Sequence, residues 1–254
     1  MNAIWIIALR EWRSMFLSPL AWTLLAVLFA ISSYMFVGAM LNYRMALAQY
    51  GMYGVTQLPL TDFTMVPLLS NLAVLLLLVL PLLTMRLIAD EKHRGSWPAL
   101  ASSAVTPSQI IWGKFLSVLL FLLLLLALIT LLPVTLLAYG QLDGGQVVGG
   151  MLGLFLLAAA FSAVGLAAST TTEQPIIAAL ISFGFLLLLW IVGWVDRGDG
   201  STLSQVVGYL SMLDHFKNFL DGSLQLSDIG YFLLLTLLGL SYADIRLRRE
   251  RIQG

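Results

Sequence analysis

Long apolar runs separated by short polar segments dominate this chain. Six runs, near residues 20–41, 66–89, 112–138, 147–169, 175–194 and 226–243, consist mostly of Leu, Val, Ile, Ala and Phe. About 20 residues of α-helix cross about 30 Å of hydrocarbon, so the pattern predicts six membrane-spanning helices. The sixth is the weakest, because its unbroken apolar stretch runs only from Ile229 to Leu240, with Leu224, Leu226, Ile245 and Leu247 available to extend it. The first run is too long for the apolar part of a secretion signal and has no clear small-residue cleavage site after it, so it is expected to remain as a helix.

Between the second and third runs lies a polar island, Arg86 to Lys114. Trp97, Leu100, Ala101, Ala104 and Val105 recur there at helical spacing, which predicts a short helix with one apolar face. Thr106-Pro107-Ser108-Gln109 reads as a helix start: Thr as N-cap, Pro at the first position, and Gln three residues on to close a capping box. Ahead of the first run, Trp5, Ala8, Leu9, Trp12, Met15 and Phe16 form an apolar stripe with Arg10, Arg13 and Ser14 opposite. The stripe suits a helix lying in the membrane interface before Ser18-Pro19 opens the first span, and it suits a simple flanking anchor equally well.

Two further segments are longer than turns. Residues 42–64 are rich in Tyr and Met, and residues 195–228 carry Val206, Leu210, Leu213, Phe216 and Leu220 at helical spacing. The second is expected either to lie on the outer leaflet or to form a packed lid. Gly145, Gly149 and Gly153, followed by Ala158 and Ser162, give the fourth run a small-residue face. Such faces let helices approach closely in lipid; helix packing is the favoured reading here and a substrate path the alternative.

Composition agrees with the pattern. Apolar residues make up 60% of the chain and charged residues 10%, where a soluble domain carries about 25% charged residues. The net charge is zero, so no basic excess points to nucleic acid. There is no Cys, which excludes disulfides, thiolate metal sites and Cys nucleophiles. Sidedness follows from the basic residues. With six spans, Arg10, Arg13, Arg86, Lys92, Arg94, Lys114, Arg246, Arg248, Arg249 and Arg251 fall on one side, and only Arg44, Arg197 and Lys217 on the other. The positive-inside rule then places both termini and the island in the cytoplasm.

Several chemistries find no support. No G-x-x-x-x-G-K-[ST] loop occurs, so ATP hydrolysis by this chain is not expected. No H-E-x-x-H occurs, and His93 and His215 are expected on opposite sides of the membrane, so no shared metal and no cofactor is assigned to the chain. Asp90 and Glu91 are sequence neighbours that point different ways, as in a solvated charge cluster. The middles of the six runs hold no ionisable residue, whereas ion-coupled carriers usually keep such groups at midplane. Asn71 is the one amide well inside a run.

Four places resemble the permease subunits of type-2 ATP-binding-cassette (ABC) exporters. Leu9-Arg10-Glu11 with Ser18-Pro19 resembles the family's interfacial connector helix, to which Arg13 also belongs. Glu91, Gly95, Ser96, Leu100, Pro107, Gly113 and Lys114 resemble its coupling helix, with Trp97-Pro98 standing where the family usually has an acidic residue. Thr171-Thr172-Glu173-Gln174-Pro175 is similar to the short turn between spans four and five. Leu213 to Phe219, with Gly222, Asp228 and Tyr231-Phe232, resembles the last loop of the gliding-motility-associated and nitrous-oxide-reductase-maturation permeases.

The resemblance implies an all-α integral membrane permease: six spans, a connector helix and a cytoplasmic coupling helix in one domain over residues 1–254, in the inner membrane of a bacterium. It implies two permease chains, alike or different, each resting on a separate ATPase subunit that holds ATP and Mg, and in some members a further subunit with an extracytoplasmic domain. Glu91, Arg94, Gly95, Ser96, Trp97, Leu100 and Val105 would then couple to the ATPase. The rival expectation is a membrane-embedded assembly factor or lipid-modifying enzyme without an ATPase, for which Asp214, His215 and Asp221 are the outer-side polar candidates.

Overall fold

The computed structural model describes residues 3–52, 58–95, 105–136, 142–195 and 209–253. The described residues form helices: α1 (Ala3–Leu17), α2 (Pro19–Gly51), α3 (Leu60–Thr84), α4 (Ala89–His93), α5 (Pro107–Leu136), α6 (Gly144–Thr171), α7 (Pro175–Ile191), α8 (Met212–Leu220) and α9 (Leu226–Gln253), with a 3₁₀ turn, Val192–Val195, after α7. The segments 20–41, 66–89, 147–169 and 226–243, and 112–138 as far as residue 136, fall on five stretches of helix long and apolar enough to cross a membrane. The expected span at 175–194 is α7, which has only 17 residues. At about 25 Å it is shorter than the hydrocarbon layer. Residues 96–104, where the apolar helix of the island is expected, lie outside the described residues.

Local chemistry explains most boundaries. Ser18 stands between α1 and α2 in extended conformation and accepts from the Leu20 N–H at 3.3 Å. Pro19 forces that break, because a residue before proline is steered away from the α region. At the start of α5, Gln109 Oε1 accepts from the Thr106 N–H at 3.0 Å and Thr106 Oγ1 accepts from the Gln109 N–H at 3.3 Å. This is the reciprocal capping box that the sequence predicts. Asp143 caps α6 by accepting from the Gly145 and Gln146 N–H groups. Gly95, at φ 69°, closes α4 in the left-handed conformation that glycine adopts freely.

The long helices do not stop where the apolar runs do. α2 continues through Asn42, Tyr43 and Arg44 to Gly51, so much of the expected connection at 42–64 is helix. α9 continues through Arg246, Arg248 and Arg249 to Gln253. Polarity ends a span but does not end a helix, and the i,i+4 pairs Asp244–Arg248 and Arg246–Glu250 support the charged extension of α9.

α6 is the centre of the bundle. Every residue from Leu157 to Thr170 is buried, and α3, α5, α7, α8 and α9 all pack on it. A helix apolar and small on every side is suited to that position. A Cβ on Gly239 would come within 3.0 Å of the Ala163 carbonyl, which shows how closely α9 approaches α6. Hydrogen bonds divide the polar groups between the two ends of the bundle. One end gathers α1, α4, the start of α5 and the ends of α6 and α9. The other gathers the starts of α3, α6 and α9 around α8.

Candidate functional site at the basic end

Lys114 is the focus of the first end. It sits two turns into α5 and is 1% exposed, although it carries a charge. Its Nζ lies 2.8 Å from Glu91 Oε1 on α4 and 3.2 Å from Glu11 Oε1 on α1. Arg10 reaches the same Glu11 oxygen at 2.9 Å. A buried ammonium is tolerated only when paired, and here two carboxylates from distant parts of the chain do the pairing. Gly113 allows the approach: a Cβ there would sit 2.7 Å from Ile7 Cγ2 on α1. Burial pushes the Glu11 carboxyl up, but the Lys114 charge and the hydrogen bonds from Arg10 and Lys114 outweigh it and hold the group below its ordinary value.

Beside this joint opens a polar cavity of about 450 Å³ lined by Arg10, Glu11, Arg86, Asp90, Glu91, Arg94 and Lys114. Asp90 pairs with Arg94 at 2.9 Å while Glu91 turns to Lys114. The two carboxylates therefore do point different ways. Glu91, however, belongs to a buried pair rather than to a wholly solvated cluster. α4 is also fixed from behind, because Lys92 Nζ donates to the Thr170 carbonyl at 2.6 Å and lies 2.7 Å from the Glu250 carboxylate. The ends of α5 and α9 are joined by Ser108, which donates to Asp244 and accepts from Arg248, and by Arg251, which donates to the Val105 carbonyl at 3.1 Å.

The residues singled out in the sequence distribute as follows. Glu91, Arg94 and Gly95 lie at this end, on or just after α4; Ser96, Trp97 and Leu100 lie outside the described residues. Val105 stands one residue ahead of the Thr106 cap in a bend, so it is not on the apolar face of a helix as the spacing predicts. Thr106 caps α5, and because the helix begins only at Pro107, Val105 lies ahead of its first turn. Arg10 and Glu11 join the Lys114 cluster, whereas Arg13 is exposed on α1. Lys114 ends the motif that resembles a coupling helix, but the sequence does not mark it as the centre of a cluster. A Lys near the start of an apolar run reads as an interfacial charge, and its partners lie 23 and 103 residues away.

The glycine face points elsewhere. A Cβ on Gly153 would lie 2.5 Å from Phe219 Cβ, and one on Gly149 would lie 3.3 Å from the Phe219 carbonyl. The partner is the short helix α8, with Met212, Phe216, Phe219 and Leu220 buried. Gly145 meets only its own cap, Asp143. At the same end His215 Nδ1 lies 2.6 Å from Asp228 Oδ1, Asn218 donates to Asp228 Oδ2 at 3.0 Å, and the His215 ring stacks on Tyr231 at 4.3 Å. His215 thus pairs with Asp228 and not with Asp214, which faces Lys217 at 3.3 Å. Ser211 caps α8 by accepting from the Asp214 N–H. This cluster latches α8 to α9.

A bundle of long apolar helices with polar groups joined at each end is a multi-pass membrane protein. The family described as ABC-2 family transporter protein matches residues 42–195, more than half of the chain, and the chain belongs to it. It is therefore a membrane permease of the ABC transporter class. The comparison with curated proteins finds no match.

Proposed function

We propose that this chain is the membrane subunit of an ATP-driven exporter, in which ATP and Mg are held by a separate ATPase and hydrolysis there is transmitted to the permease. The observation that carries the reading is the Lys114 joint. One buried cation ties α1, α4 and α5, so force applied to the island reaches the N-terminal helix and the start of a long helix together. α1 then acts as the connector helix, and the part of the island that follows α4 acts as the coupling element. α7, continued by the 3₁₀ turn Val192–Val195, counts as the fifth of six spans, and the ten-to-three division of Lys and Arg favours cytoplasmic termini in a bacterial inner membrane.

A second permease chain, identical or different, completes the transporter, and the resemblance at residues 213–232 favours the gliding-motility or nitrous-oxide-reductase-maturation type, with an extracytoplasmic partner over α8. The helix middles carry no charge, which favours an amphipathic cargo, or a mechanical signal to that partner, over a small ion. The enzyme reading is weaker: in the polar outer cluster His215 is paired with Asp228, and Ser211, the cap of α8, is not bonded to it.

The test is purification of the tagged chain from native membranes. An ATPase subunit should accompany it, and Trp97→Ala or Leu100→Asp should release that subunit while leaving the permease inserted. Purification without any ATPase would refute the exporter reading. In the same chain, Ser201→Cys should react with an impermeant reagent from outside and Ser102→Cys should not; the absence of native Cys makes both readouts clean.

A further inference from the structure

A groove of about 490 Å³ runs between α6, α7 and α9. Ala167, Ala168 and Gly239 form its floor, and Phe185, Leu238 and Tyr242 stand exposed along its rims. Its lining is almost wholly apolar, but it contains one polar group that is out of place. Ser182 is 1% exposed, and its hydroxyl has no hydrogen-bond partner among the described residues. Other buried hydroxyls of these helices behave differently: Ser162, Ser169, Thr170 and Thr236 each donate to a carbonyl three or four residues back. That hydroxyl is closed off from the groove and faces Gly165, where a Cβ would lie 3.4 Å from it, so the groove itself offers a ligand apolar contact.

Charge at one end of the groove defines that ligand further. Leu235, Leu238, Gly239 and Tyr242 lie on one face of α9 at spacings of three and four, and the next positions on that face are Arg246 and Arg249. Both arginines are exposed. Arg246 is 3.8 Å from Glu250, a carboxylate that Lys92 already holds at 2.7 Å. On the opposite face, Arg248 and Arg251 are engaged with Asp244, Ser108 and the Val105 carbonyl. Glu173, exposed on the turn between α6 and α7, is the acidic neighbour at this end, so the two arginines leave the mouth of the groove net positive. From Tyr242 to Arg249 the helix rises about 10 Å, a distance that places charge above an apolar slot as in an amphiphile.

We propose that this groove binds an anionic glycerophospholipid from the surrounding leaflet. Its acyl chain lies against Ala167, Ala168 and Gly239, and its phosphate sits between Arg246 and Arg249. A zwitterionic lipid would fill the same slot without the net charge that the arginines select. The proposal depends on the chain spanning a membrane and not on the exporter reading; the sidedness proposed above decides only which leaflet supplies the lipid.

The experiment uses the purified protein, delipidated in detergent and given phosphatidylglycerol or phosphatidylcholine with the same acyl chains, with bound lipid counted by native mass spectrometry. The protein should retain phosphatidylglycerol roughly thirtyfold more tightly, the effect expected of two arginines near a lipid headgroup. The double variant Arg246→Gln/Arg249→Gln should lose that preference, Arg248→Gln should keep it, and Ala168→Leu should weaken retention of both lipids. Equal retention of the two lipids by the unmodified protein, or an undiminished preference in the double variant, overturns the proposal. The arginines are on the surface, so that arm does not depend on Ala168→Leu folding. Efficient cross-linking of Leu238→Cys between two copies in native membranes would assign the groove to a protein interface and also overturn it. None of these measurements requires an ATPase, so they succeed or fail separately from the exporter reading.

Discussion

Glu91 Oε1 lies 2.8 Å from Lys114 Nζ, joining the short helix α4 to the start of α5 in a pair whose cation is 1% exposed. Removing one partner of such a pair leaves buried charge without compensation, which costs about 3 kcal/mol or more. Lys114→Met should therefore lower the thermal unfolding temperature in detergent markedly. The triple variant Glu11→Gln/Glu91→Gln/Lys114→Met should recover much of the loss, because it removes the stranded charges as well. No recovery in the triple variant would mean that the packing of the Lys114 stem, and not its charge, holds the three helices together.

The same joint has a pH signature. Glu11 titrates below its ordinary value of 4.5, because Lys114 and Arg10 favour its charged form more than burial opposes it. A carboxylate depressed in the folded state adds stability that is fully present above its unfolded pKa and is lost as pH falls through the lower folded value. The stability difference between the unmodified protein and Glu11→Gln should then be constant from neutral pH down to about 5.5 and shrink on further acidification. A difference that stays constant to pH 3 would remove Glu11 from the joint.

What the sequence reveals and what it hides both follow from range. The apolar runs, the capping box at Thr106 and Gln109 and the helix before Ser18 depend on neighbours a few residues apart, and the helices that result match them. Helix ends beyond the apolar runs were not legible. α2 passes through Arg44 to Gly51 and α9 through Arg249 to Gln253 because neither stretch contains a proline. The site was less legible still. Glu11, Glu91 and Lys114 are ordinary interfacial charges until the fold brings them together, and the glycine spacing at 149 and 153 announces a close approach without naming α8 as what approaches.

That approach can be measured. A Cβ on Gly153 would fall 2.5 Å from Phe219 Cβ, so Gly153→Ala must push α8 away or distort α6. Overpacking of this kind costs about 1–3 kcal/mol. Phe219→Ala also destabilises, by opening a cavity, but in its background Gly153→Ala should cost far less. A double-mutant cycle from unfolding midpoints should show that coupling, since contacting residues are not additive. Additive costs would mean that the two residues do not share the space.

Asn71 sits near the middle of α3, exposed, on the face that also carries Val74, Leu78 and Leu82. Its amide makes no side-chain hydrogen bond among the described residues. An amide facing hydrocarbon is unfavourable, and in membranes such groups find partners on neighbouring helices. The face around Asn71 is thus the expected contact with the second permease chain. Asn71→Leu should weaken that association by about 1 kcal/mol, roughly fivefold in the dissociation constant. Energy transfer between labelled chains diluted into liposomes reads this for a homodimer, and recovery of the second chain on a tagged one reads it for a heterodimer. Cysteines at Val74 or Leu78 should cross-link across the interface, and cysteine at Leu123, exposed on α5, should not. Unchanged association in Asn71→Leu, together with no cross-link at Val74 or Leu78, would move the interface to another face of the bundle.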